Sequence, residues 1–429
     1  MPPKKKSPKK AVQKATRTSK PKPRTKAKAI PAPTNIPLTS DAKLLLVFMS
    51  LRTIFELFTI TFFVSFIMQN SANEIFAVSV YNLFWFFVSA ISLFVVAGWV
   101  KRKNKVAVFR LTAIPNIILF SIIVFLGDTA VEKIIPLGIL LGISDATYWL
   151  PMHRMIGEKV DTKAMTKFHG YRSMINQITM VSAPVILGLF ITVGSYEQMA
   201  KALLVLCIVE LILSFFLSPS FHRSKNKPDI AGFYRCMLQY PVIRKQFFIE
   251  LLRGFSWGGA LPIIITMYVV WMFKTDFMLG MFTTVFAIFT IITSFLFGRF
   301  GKKSMFPRIL ALSMIGATGS MALFVANTNA TTFLIYNFVF VTIVALSNKI
   351  TLVNTYNLSK ASCVSRDHKV EYFVFRDLTL CIGGIISFVG LLAIGTFGGY
   401  EWLRWYMIPL TLSIVWIGYA SIKINGEIK

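Results

Sequence analysis

Polar residues gather in short clusters along this chain, and the stretches between them are long and apolar. Such runs cover residues 75–100, 106–127, 134–150, 174–193, 202–217, 247–273, 278–298, 309–327, 333–348, 378–399 and 405–422. A bilayer core of roughly 30 Å takes about 20 helical residues, so the pattern predicts membrane-spanning helices. Residues 44–69 form one more run of that length, but it carries Arg52 and Glu56 in the stretch SLRTIFELF. With it the chain has twelve predicted spans and an all-α integral membrane fold.

The polar clusters alternate in charge. One set of connections holds Lys101, Arg102, Lys103 and Lys105; Arg154, Lys159, Lys163 and Lys167; Arg223, Lys225, Lys227, Arg244 and Lys245; Arg299, Lys302 and Lys303; and Lys360, Arg366 and Lys369. The other set has few bases and several acids, among them Glu74, Asp128, Glu132, Glu197, Asp276 and Glu401. Lys and Arg mark cytoplasmic loops, so the first set is expected inside, and an even number of spans puts both termini there. The expected location is the plasma (cytoplasmic) membrane.

Composition agrees with the pattern. Of 429 residues 55% are hydrophobic and only 15% charged, with 40 Phe and 8 Trp, more apolar surface than one aqueous core can hide. The net charge of +28 is inflated by residues 1–40, which contain no Asp or Glu and many Lys, Arg and Pro. That segment is disordered by composition and lacks the apolar core of a signal peptide. It is expected to lie against anionic lipid headgroups and to reinforce the orientation. Ser7, Pro8, Lys9 and Lys10 resemble an element of histone-like tails, but a polybasic strand attracts any phosphate, and no nucleic-acid partner is expected. The four cysteines, Cys207, Cys236, Cys363 and Cys381, fall in spans or predicted cytoplasmic connections, so no disulfide framework is implied. No metal-ligand spacing and no cofactor motif is present.

The two halves echo each other. Leu51-Arg52 matches Leu252-Arg253, Tyr171-Arg172 matches Phe375-Arg376, and Arg110 matches Arg308, each pair about 200 residues apart and in the same span order, as in a duplicated unit. The expected organisation is a basic tail over 1–40, a six-helix bundle over 41–217, a cytoplasmic connection over 218–246 and a second bundle over 247–429.

From about Asp41 to Lys429 the chain resembles the major facilitator superfamily. Its most specific element is Gly298-Arg299-Phe300-Gly301-Lys302-Lys303, similar to the loop signature of the family, and Lys101-Arg102-Lys103-Asn104-Lys105 resembles a decayed copy. Arg102, Asn104, Lys105, Arg299, Gly301, Lys302 and Lys303 are therefore the candidates for conformational loops. Asn104 replaces the turn glycine, a residue that tolerates left-handed backbone. The acid of the signature is absent from both copies, replaced by Lys101 and Gly298, which removes the salt-bridge latch the acid makes in the family. Ser182-Ala183-Pro184-Val185-Ile186-Leu187-Gly188 resembles the glycine and proline motif of the family's antiporters.

The resemblance implies a central cavity lined by spans 1, 4, 7 and 10. Charges at mid-membrane cost about 2.5 to 3.5 kcal/mol each, so they should face a cavity or a partner. Arg52, Glu56, Asp145, Arg253, Trp257 and Lys349 are the candidates for substrate binding or coupling, with Lys349 the pseudo-symmetric counterpart of Asp145. A plainer alternative has Arg52 neutralising Glu56, Glu250 neutralising Arg253, and Asp145 with Lys349 as a gate between the halves or a packing contact. Arg172 and Arg376 are expected to brace loops, the aromatic residues Trp85, Phe86, Phe87, Tyr148 and Trp149 to pack or face lipid, and His153 to sit at the inner mouth. No nucleotide-binding glycine loop and no Ser, His and acid set appears, which excludes an ATP-driven pump and leaves no sign of an enzyme. The expected function is a secondary carrier, proton-coupled and monomeric, for a small organic solute, with an organic anion favoured by the paired arginines. A drug or sugar carrier of the same fold, and a receptor or scaffold without transport, are the alternatives.

Overall fold

The computed structural model describes residues 37–102, 104–161, 164–219, 228–300, 303–358 and 369–427. Most of the basic tail, Lys103, Gly301 and Lys302 lie outside them. The described residues are mostly helical. Helix 1 is Ser40–Asn70, helix 2 Glu74–Arg102, helix 3 Lys105–Arg110 continued by Ala113–Leu126, helix 4 Ile134–Lys159, helix 5 Met165–Val193 and helix 6 Tyr196–Ser214. Helix 7 is Pro241–Phe273, helix 8 Asp276–Phe300, helix 9 Phe306–Ala326, helix 10 Ala330–Val339 continued through a wide turn by Ala345–Leu358, helix 11 Lys369–Phe397 and helix 12 Tyr400–Glu427. Among the described residues, ten stretches are long and apolar enough to cross a membrane. One of them, Lys105–Lys159, contains both helix 3 and helix 4; helix 6, 19 residues long, is more polar, with Glu197, Lys201 and Glu210. The seventh helix starts at Pro241, inside the expected connection, because proline at the first helical position lacks only an amide that would be orphaned anyway. Ile230–Gln239 forms a further short helix there.

The twelve long helices make two pseudo-symmetric six-helix bundles. Helices 1 and 5 pack together in the first bundle as helices 7 and 11 do in the second, and helix 3 meets helix 6 as helix 9 meets helix 12. The bundles join along two seams related by the same symmetry, helix 2 against helix 11 and helix 5 against helix 8. At the second seam the backbones nearly touch: a Cβ on Gly188 would lie 2.5 Å from the Asp276 carbonyl oxygen, and Gly280 abuts the Pro184 carbonyl. Pro184 and Gly188 of the antiporter-like motif thus stand where small residues let helices approach.

Ser40 and Glu427 begin and end the helical array on one side, called the terminal face here. At the opposite face the bundles are sealed. The Asp276 carboxylate, at the start of helix 8, accepts hydrogen bonds from Ser65 (2.7 Å) and Gln69 (3.2 Å) of helix 1 and from Tyr196 of helix 6 (2.6 Å). Tyr400 donates to Glu74, and Asn73 to the Gly395 carbonyl at 2.8 Å. Beneath this clasp one apolar cluster draws on both bundles, with Phe58, Phe66, Ile264, Met267, Phe388 and Leu391 among its members. On the terminal side the packing divides into smaller clusters, one of which bridges helices 2 and 11 through Val100, Val370 and Val374. Replacing Asp276 by Ala should loosen the seal. With a cysteine at Ile60, labelling by an impermeant thiol reagent from the opposite face should rise several-fold, and an unchanged rate would show that the clasp does not hold the seal.

Candidate functional site

Helix 1 explains its own charges. The Arg52 side chain is 3% exposed, and its three nitrogens reach Glu56 at 2.9 Å, Ser144 at 3.1 Å and Asp145 at 2.8 Å. Its guanidinium lies 5.0 Å from the Tyr148 ring centre, and the Tyr148 hydroxyl donates to the Phe48 carbonyl at 3.1 Å. A planar fork with several donors suits this task better than a lysine. Arg52 therefore sits behind the two carboxylates and holds them. Glu56 and Asp145 themselves, with side chains 30% and 25% exposed, face a cavity.

That cavity, about 750 Å³, extends from mid-depth toward the terminal face between the bundles. Glu56, Asp145 and Arg172 line it from the first bundle, and Arg253, Arg376 and Asp377 from the second. Arg253 is ion-paired with the fully buried Glu250 at 2.8 Å, and the Glu250 Oε1 accepts from Gln246 (3.1 Å) and Thr355 (2.6 Å). Arg376 lies 3.1 Å from Asp377. Trp85, Phe86, Trp149, Trp257 and Phe388 supply apolar walls. His153 is stacked between Trp149 and Phe373, with ring centres 5.5 and 5.8 Å away, so it bridges helices 4 and 11.

Backbone irregularity is concentrated on the same helices. Helix 1 widens to a π turn at Phe58–Phe62, just after Glu56, and helix 7 at Ser256–Ala260, just after Arg253. Within the second turn Gly259 leaves helical geometry (φ −107°, ψ −138°), and the Ala260 amide is satisfied by the Ser387 hydroxyl at 2.9 Å. Such breaks are tolerated at membrane depth where they line a cavity and find replacement partners.

Several expectations change. Lys349 does not meet Asp145; it lines a second crevice and donates to Ser294, while its neighbour Asn348 faces the central cavity. The cause is the π turn Phe340–Val344 in helix 10, whose extra residue turns the following positions by about 100° relative to a regular helix. Arg172 and Arg376 line the cavity instead of only bracing loops. Trp85, Phe86 and Trp149 line it too, whereas Phe87 is exposed. Asp377 and the buried Glu210 were not singled out from sequence. Glu210 was visible as a lone acid in an apolar run, and its Oε2 has no hydrogen-bond partner among the described residues.

The loop candidates also change character. Asn104 is not left-handed (φ −66°); it caps helix 3, accepting from the Val106 amide at 3.1 Å. Lys105 is buried and pairs with Glu158 at 2.8 Å, and Arg102 is exposed. Lys101, standing where the signature has an acid, forms an ion pair across the bundles with buried Glu371 of helix 11. The Asp229 amide donates to the same carboxylate at 2.9 Å. An inter-bundle ion pair is thus present with Lys101 as its basic partner. Arg299 lies over the Phe300 ring at 5.5 Å and lines the second crevice, and Lys303 opens the short turn Lys303–Met305. Lys101→Glu should weaken the terminal-face contact and cut transport at least about tenfold, since a buried charge would lose its partner. The double change Lys101→Glu with Glu371→Lys should recover most of it, and no recovery would show that the pair acts otherwise than through its charge.

Known proteins share this architecture. The chain is 22% identical over 371 residues to the uncharacterized protein YqgE of Bacillus subtilis strain 168, covering 84% of this chain and 83% of that protein. Its fold matches a bacterial homologue of the iron transporter ferroportin in an outward-facing state, with TM-score 0.64, 13% identity and coverage of 90% of this chain and 100% of the other. The inward-facing state of a bacterial ferroportin homologue gives the same TM-score at 15% identity, covering 90% and 97%. Residues 44–387 match the Major Facilitator Superfamily, and the chain belongs to that family of membrane transporters.

Proposed function

We propose that this secondary transporter moves a small organic anion, coupled to protons, through the central cavity by alternating exposure of that cavity to the two faces. The observation that carries the reading is the convergence of Arg172, Arg253 and Arg376 from both bundles on a cavity whose carboxylates are held by arginine. Guanidinium binds carboxylate and phosphate through paired hydrogen bonds, and the aromatic walls suit the apolar part of an organic ligand. Among the described residues, the charged lining and its ion-pair partners set Arg52, Arg172, Arg253 and Arg376 against Glu56, Asp145, Glu250 and Asp377, a formally neutral set. Adding one proton to Glu56 or Asp145 leaves one positive charge, which a monovalent anion balances. Proton and anion then favour each other's binding, the thermodynamic core of coupling.

The Lys and Arg excess on the terminal face supports a cytoplasmic position for both termini, in the cytoplasmic membrane. Iron belongs to the named structural neighbours, whose identity to this chain supports the fold alone. Among the described residues no three His, Cys, Asp or Glu side chains are grouped to hold a metal ion.

A thermal-shift panel on purified protein, covering organic anions, organic cations, neutral sugars, lipophilic drugs and divalent metals, tests the substrate class. Stabilisation by organic anions that disappears in both Arg253→Ala and Arg376→Ala is the expected result. Stabilisation only by cationic or neutral lipophilic compounds, by sugars or by metal ions overturns it.

A further inference from the structure

A second crevice of about 890 Å³ lies between helices 5, 8 and 10 toward the terminal face. Lys349 and Arg299 line it together with Ser173, Asn176 and Ser294. Its lining shares no residue with that of the central cavity, and neighbouring positions divide between the two: Arg172 and Asn348 line the cavity, Ser173 and Lys349 the crevice. Neither Lys349 nor Arg299 has a carboxylate within ion-pair distance among the described residues. A lysine at this depth is costly without a counter-charge.

Large apolar side chains on the helices that form the crevice are exposed. Helix 8 is the least buried of the candidate spans, with 17% of its apolar window inside the protein, and Phe295, a wall residue, is 61% exposed. On helix 5 Met174 and Ile178 are likewise exposed. A basic, polar interior behind an apolar rim is complementary to one kind of molecule, with an anionic head and hydrocarbon tails. We propose that this crevice seats the phosphate headgroup of an anionic phospholipid from the terminal-face leaflet, with Lys349 and Arg299 on the phosphate and the acyl chains along helix 8. Basic pockets between helices on that side of a membrane favour such headgroups. The lipid would lie against the helix 5 and helix 8 seam, and so bears on the contact the bundles must change during transport.

Native mass spectrometry and thermal melting of the detergent-purified full chain, with added dioleoyl-phosphatidylglycerol, dioleoyl-phosphatidylcholine or inorganic phosphate, test the site. Phosphatidylglycerol should be retained and should raise the melting temperature, while phosphatidylcholine and free phosphate at equal concentration should not. Arg299→Gln, a change at an exposed side chain, should weaken retention on the order of fivefold, and Arg299→Gln with Lys349→Gln further. Lys133→Gln with Lys201→Gln, at the opposite face, controls for general loss of charge and should retain the lipid as the unaltered protein does. Equal retention by the Arg299→Gln variant and the unaltered protein, equal loss in the control, or equal protection by inorganic phosphate overturns the proposal.

Discussion

Arg52→Ala should abolish transport, with at least about a hundredfold loss of rate, and should destabilise the protein by about 3 to 5 kcal/mol, the cost of leaving a buried ion network without its central charge. Arg52 is the direct ion-pair partner of Glu56 and also holds Asp145, two carboxylates on different helices that would otherwise repel each other across a low-dielectric site. Thermal melting in detergent reads the stability, and proteoliposome flux reads the activity. Removing the acids as well separates the two. The triple change Arg52→Ala, Glu56→Gln, Asp145→Asn should melt closer to the unaltered protein, because no uncompensated charge remains, yet it should stay inactive. A triple variant that melts no higher than Arg52→Ala would show that Arg52 acts through packing against Tyr148 rather than through its charges.

Glu56→Gln should abolish accumulation driven by a proton gradient while leaving exchange of substrate across the membrane in place. A nearby positive charge favours the ionised carboxyl, so a change in the distance across the cavity to Arg253 and Arg376 of the second bundle, as the bundles move, would take up and release a proton. Glutamine keeps the shape and hydrogen bonds of the protonated acid but cannot let the proton go. Flux assays with and without an imposed gradient distinguish the two modes. Accumulation with unaltered pH dependence in Glu56→Gln would move the coupling role to Asp145, the other carboxylate bound to Arg52 and facing the cavity.

The twelve helices were legible because a membrane leaves helical spans few alternatives, and the runs between charged clusters set their number. Individual faces were less legible. Helices 2 and 11 are apolar over most of their length, so nothing in their sequence separates the cavity-facing Trp85 and Phe86 from the exposed Phe87. Arg52, Glu56, Asp145, Arg253 and Trp257 were recognisable as charged or clustered residues on spans related by repeat, and all five stand in or directly behind one cavity. Lys349 was misplaced because offset arithmetic assumes an unbroken helix, and a π turn in helix 10 adds a residue before it. The Lys101 and Glu371 pair was hidden for another reason: its members are far apart in sequence, and only the packing of helix 2 on helix 11 brings them together.

Coupling requires a proton and an organic anion to share the cavity between the bundles. Its most direct test is uptake into proteoliposomes, under an imposed proton gradient, of the anion that most stabilises the purified protein. The unaltered protein should accumulate that anion above equilibrium, Arg253→Ala should neither accumulate nor exchange it, and Glu56→Gln should exchange it without accumulation. Accumulation that persists in both variants would rule out a shared proton and anion site in this cavity.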